Sequence, residues 1–148
     1  MDILYRILLY IHVSSAILSV GPFFILIPIV NKLGTAHPGV QQAYIGIFRT
    51  SVRLVKHAGH VLVGSGILLI MNSHWAWTTS WVVATLAVMG GSVFFLARAF
   101  TPVLRKFDEP GADQHFLIRK LTRSVWIYLF LLMLMLWFMV AKPVLWQG

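Results

Sequence analysis

Residues 3–30 read ILYRILLYIHVSSAILSVGPFFILIPIV, an apolar run whose only charge, Arg6, lies near its start. A hydrocarbon layer ~30 Å thick is crossed by roughly 20 helical residues, so this run is long enough to span a membrane. It exceeds a signal-peptide core and lacks a basic flank followed by a clear cleavage site, so it reads as a retained span. Pro22 and Pro28 are expected to bend it.

Three further apolar stretches follow, at residues 48–71, 81–100 and 125–144. The expected fold class is therefore all-α: an integral membrane four-helix bundle, one four-span domain over residues 1–148. Gly34, Pro38 and Gly39 mark the first connection as a loop, and Pro102, Pro110 and Gly111 mark the third. Composition points the same way, since 59% of the 148 residues are hydrophobic, only 11% are charged and mean hydropathy is +0.83. A soluble domain carries about a quarter charged residues. Four spans leave no room for a separate soluble catalytic domain. The absence of cysteine excludes thiol relays, Fe–S clusters and covalently attached c-type haem.

Twelve Lys and Arg against four Asp and Glu give a net charge of +8. Lys32, Arg49, Arg53 and Lys56 flank the first connection. Arg98, Arg105, Lys106, Arg119, Lys120 and Arg123 flank the third, which leaves Arg6 and Lys142 for the opposite side. The positive-inside rule makes the basic side cytoplasmic and puts both termini on the outer side of a bacterial cytoplasmic membrane. Topology and attraction to anionic lipid account for the charge, with no role for nucleic acid. Trp75, Trp77 and Trp81 suit an interfacial belt at the outer hairpin.

Histidines inside the apolar layer are costly unless they find a partner, and His12, His57 and His60 fall in or near spans. At ~1.5 Å per residue, His12 lies ~13 Å below Ile3, His60 ~16 Å below Met71 and His57 ~21 Å below it. His12 and His60 thus come to similar depth on antiparallel neighbours, the arrangement two axial ligands of one haem require. His57 is an alternate ligand or a supporting group.

Tyr5, His12, Ser15 and Ser19 follow helical spacing in the first span, and Arg49, Arg53, Lys56, His57, His60 and Gly64 do so in the second. Neutral imidazole ligates iron, cations pair with propionates, and glycines such as Gly21, Gly59, Gly64 and Gly66 admit a flat macrocycle. The expected site is a non-covalent haem b held by His12 and His60, with Arg49, Arg53 and Lys56 toward its propionates. The competing expectation is that His12 hydrogen-bonds a serine or carbonyl, while the glycines only allow close helix packing.

Other chemistries lack their parts. Asp2, Asp108, Glu109 and Asp113 all lie outside the spans, so there is no intramembrane carboxylate for ion coupling. Ser15 and Ser19 have no acid to complete a hydrolytic set. Met135 and Met139, at i and i+4, read as packing before they read as copper ligands.

The run Leu9-Tyr10-Ile11-His12-Val13 with Gly21 downstream, and the closing Met139-Val140-Ala141-Lys142-Pro143, resemble a bacterial family of small four-span membrane proteins without an assigned function. More distantly, the first span is similar to that of the four-helix, oxygen-independent protoporphyrinogen oxidases and the related copper-resistance membrane domain. That resemblance implies haem b at His12, with Gly21 and Pro28 matching a glycine-then-proline run. Leu18, Ser19 and Val20 stand where the oxidases carry a tryptophan, and Ile29, Val30 and Asn31 where they carry an arginine and a histidine.

The function expected is a b-type haem protein of the membrane that exchanges electrons with a quinone or a respiratory complex. The bilayer is its first partner and a homo-oligomer its possible assembly. Porphyrinogen oxidation in the same groove, or a non-enzymatic accessory subunit of a larger membrane complex, are the alternatives.

Overall fold

The computed structural model describes residues 2–109, 111 and 113–142. All regular structure among them is helical: α1 (Ile3–Leu33), α2 (Pro38–Met71), α3 (Ser80–Ala99), α4 (Thr101–Lys106) and α5 (Gln114–Ala141). α4 continues α3 past Phe100, so four helical columns run up and down in chain order, each long and apolar enough to cross a membrane. α1 packs along α2 and α5, and α3 along α5. α2 and α3 pack only loosely. Both ends of the described chain lie beside the α2–α3 hairpin, the tryptophan end. The opposite end is the basic end.

The spans match the apolar runs, but the basic-side connections are shorter than the sequence suggests. α1 runs on to Leu33 and α2 starts at Pro38, ten residues before the expected span. Pro38 takes the first helical turn, where its missing N–H costs nothing, and the Ile45 and Phe48 side chains are buried. α5 likewise starts at Gln114 rather than residue 125, with the Asp113 carboxylate accepting from the Phe116 N–H at 3.3 Å. Gln41 Nε2 donates to Gln114 Oε1 at 2.9 Å and ties the two early starts together. α2 is 34 residues, or ~51 Å, so it projects well past a ~30 Å hydrocarbon layer. α1 continues through both Pro22 and Pro28 as one helix. Residues 143–144 of the expected fourth span, and Pro143 of the closing motif, lie outside the described residues.

Large apolar side chains point outward as well as inward, as a lipid-facing surface requires: Ile17 is 66% exposed and Phe130 66%. The buried hydroxyls of Ser19, Ser92 and Ser124 are satisfied on their own helices, because no water is there to serve them. Ser19 donates to the Ser15 carbonyl, Ser92 to that of Val88 and Ser124 to that of Lys120. The half of the bundle toward the basic end is closed by an aromatic cluster. The Phe23 ring lies 4.5 Å from that of Tyr128 and 5.5 Å, edge to face, from that of Phe100, while Phe95 stacks on Tyr128 at 6.3 Å.

Candidate functional site

Toward the tryptophan end the columns part around a cleft of about 660 Å³ walled by α1, α3 and the ends of α2 and α5 on that side. Small residues make the room: Ala16 and Gly21 on α1, Gly66 on α2 and Thr85 on α3 all line it. Its wall also carries exposed side chains, Ile17 and Phe24, so it opens on the lipid-facing surface.

His12 is the principal polar group of the wall. Its Nδ1 lies 3.1 Å from the Leu62 carbonyl oxygen and 3.0 Å from Ser65 Oγ, both on α2. A carbonyl only accepts, so Nδ1 carries the proton. The Ser65 hydroxyl spends its own proton on the same Leu62 carbonyl at 3.1 Å. In the neutral ring Nε2 then keeps a lone pair, with no partner among the described residues. The fit is close: a Cβ at Gly66 would stand 3.1 Å from His12 Cε1. Of the glycines expected to give close approach, Gly66 is the one whose missing side chain matters. Gly21 lines the cleft, yet a Cβ there, or at Gly59 or Gly64, would meet nothing within 4 Å.

At the mouth, Lys142 ends α5 in the left-handed region at φ 47°, its N–H donating to the Phe138 carbonyl at 3.0 Å. Its Nζ stands 5.3 Å from the ring centroids of both Trp75 and Trp81, which meet edge to face. Trp81 Nε1 is buried without a hydrogen-bond partner, and Met89 and Met139 complete the apolar walls.

The remaining expected residues lie elsewhere. His60 and Lys56 line a second hollow of about 80 Å³ that shares no wall residue with the cleft. Equal depth therefore does not bring His12 and His60 into one cavity. Residues 60 and 62 are ~200° apart around a helix, so the face that offers Leu62 to His12 turns His60 away. The row Arg49, Arg53, Lys56, His57, His60 and Gly64 is exposed as a whole, because the row Phe48, Val52, Val55, Ala58, Leu62 and Ser65 takes the buried face of α2. Arg49 donates to the Leu104 carbonyl at 3.0 Å and pairs with Asp108 at the basic end. No group of three or more His, Asp or Glu side chains among the described residues is arranged to hold a metal ion.

For a haem b the fit is one-sided. His12 provides a ring nitrogen whose partner nitrogen is already anchored, the walls are apolar, and two thioethers reach the cleft. Lys142 is the one Lys or Arg in the wall among the described residues. Ser65 and Lys142 were not among the expected site residues, whereas Gly66 was expected as a close-approach glycine. The histidine-facing pair carried a signal, Ser65-Gly66 one helical turn after Leu62, but only the partner helix shows what it faces.

The chain matches no protein-family model, no curated protein and no solved structure.

Proposed function

We propose that the cleft is a binding site for a haem b, which His12 would hold through Nε2, in a protein of the bacterial cytoplasmic membrane that passes electrons to or from a quinone or a respiratory partner. The observation that carries this reading is the anchored imidazole: metal-ligating histidines donate their other ring N–H to a carbonyl or carboxylate, which fixes tautomer and orientation. Leu62 and Ser65 perform that task for His12. Met89 or Met139 would help to hold the group through a thioether, and Lys142 would pair with a propionate. When bound, a haem supplies a one-electron couple whose potential is set by ligands and burial. The chain's own residues orient the ring nitrogen, exclude water through apolar walls and leave the cleft open to lipid, the route by which a quinone arrives. Ten of the twelve basic residues stand at one end, which supports a cytoplasmic assignment of that end by the positive-inside rule and would put the cleft in the opposite half of the membrane.

The same bond also favours a second reading, in which His12 serves only to tie α1 to α2 in an accessory subunit of a larger complex. Absorption spectra of protein purified in detergent after haem supplementation separate the two. The haem reading expects a Soret band that His12→Ala abolishes and His60→Ala leaves in place. A wild-type sample without the band rejects it and favours the interhelical tie.

A further inference from the structure

The smaller hollow, in the loose seam between α2 and α3, has a chemistry unlike that of the cleft. Lys56 and His60 reach it from α2, Thr101 from the start of α4 and Tyr128 from α5. Tyr128 is only 4% exposed, and no described residue partners its hydroxyl. That oxygen is not sealed either, since Trp81 Nε1 is the only enclosed side-chain N or O without a partner among the described residues. Some exposure therefore remains at that oxygen, and the hollow is an open space that Tyr128 lines. Lys56, His60 and Thr101 have no hydrogen-bond or ion-pair partner among the described residues either. No Asp or Glu lines the hollow, and Asp108 is engaged by Arg49. An ammonium at the edge of the apolar layer is costly without a counter-ion.

Every one of these side chains can donate a hydrogen bond, and Lys56 can do nothing else. Their natural complement is a group that only accepts and carries negative charge. The level is right as well. Thr101 is twenty-one residues from Ser80, or ~31 Å along the column, which brings it to the headgroup layer opposite the tryptophan end. Lys56 lies deeper on α2, and a lysine stem can snorkel to that layer.

We propose that this hollow seats the phosphate of an anionic phospholipid, held by Lys56, Thr101 and Tyr128, with His60 below it and the acyl chains along the α2–α3 seam. The site is independent of the cleft and of whether the cleft takes a haem.

The test is native mass spectrometry of the full chain in a mild detergent, delipidated and titrated with phosphatidylglycerol or with phosphatidylcholine of the same acyl chains. One phosphatidylglycerol is expected to remain bound at concentrations where phosphatidylcholine does not. Lys56→Gln should weaken it about fivefold or more, the loss of one cation near an anionic headgroup. Tyr128→Phe, which keeps the ring in its cluster, should weaken it as well, while Arg105→Gln, outside the hollow, should not. Equal retention of both lipids, or retention of phosphatidylglycerol unchanged in both Lys56→Gln and Tyr128→Phe, overturns the proposal. Displacement of the lipid by inorganic phosphate alone also overturns it, since the hollow would then take a free anion. If Lys56→Gln loses its helical circular dichroism, Tyr128→Phe decides.

Discussion

Gly64 and Gly66 sit half a turn apart on α2, and replacing each with alanine separates helix propensity from contact with His12. Alanine is favoured over glycine in a helix by about 1 kcal/mol. At Gly64 the new methyl meets nothing within 4 Å, so Gly64→Ala should gain roughly that amount. At Gly66 the methyl would stand 3.1 Å from His12 Cε1, against an ordinary carbon contact of about 3.5–4.0 Å. The imidazole must then retreat from α2 by about 0.4 Å or more. Its Nδ1 bonds to Leu62 and Ser65, now 3.1 and 3.0 Å, would stretch past the useful range of about 3.2 Å. Losing the worth of one hydrogen bond, about 1 kcal/mol, offsets the helical gain. Gly66→Ala should therefore be close to neutral, about 1 kcal/mol less stable than Gly64→Ala. Unfolding in mixed detergent micelles with increasing dodecyl sulfate, followed by helical circular dichroism, resolves such a gap. If the two alanine variants gain equal stability, the His12 ring is not held against Gly66, and the anchored-imidazole account of the cleft is wrong.

Phe23→Ala should be among the most damaging single truncations, costing about 3–5 kcal/mol in the same assay, because its ring is fully buried between those of Phe100 and Tyr128. Phe130→Ala on the lipid-facing surface serves as its comparison, and equal losses would contradict a closed aromatic half. Asp108→Asn should cost under about 1 kcal/mol, since the pair with Arg49 is largely exposed and Arg49 keeps its bond to the Leu104 carbonyl. That small loss should shrink further when the midpoint is measured in added salt, and a salt-independent loss would speak against an exposed ion pair.

Four spans were readable because a membrane imposes a length and an apolar composition that no other context demands, and residues 3–30 meet both within one unbroken run. The helix ends on the basic side were less readable. Gly34, Pro38 and Gly39 look like loop formers, yet Pro38 is a good first-turn residue and Gly39 is simply carried within α2. His12 was readable as a polar group within the apolar layer, where it is half-buried, and its bond to a serine or carbonyl was one of the two expectations. That His60 lines a different hollow from His12 was not readable, since depth along two helices says nothing about rotation around them. On α2 two rows compete for the interior, and the apolar one beginning at Phe48 takes it. Residue spacing alone gives both rows the same helical period.

The competition between those rows also explains why the molecule carries two unlike hollows. In a bilayer there is no hydrophobic force between helices, so columns close only where side chains interlock. Phe23, Phe95, Phe100 and Tyr128 interlock in the basic half. At the tryptophan end Ala16, Gly21, Gly66 and Thr85 are too small to do the same, and the cleft remains. Tyr128 belongs to both regions: its ring completes the cluster, and the residue also lines the smaller hollow, where the exposed polar row of α2 passes the α3 seam. Turning the α2 polar row toward α1 would have placed charges in the apolar contact made by Val52, Val55 and Leu62. Leaving it outside keeps that contact dry and gives the basic groups access to headgroups. The burial that removes His60 from His12 is thus the same burial that leaves His60 and Lys56 beside Tyr128.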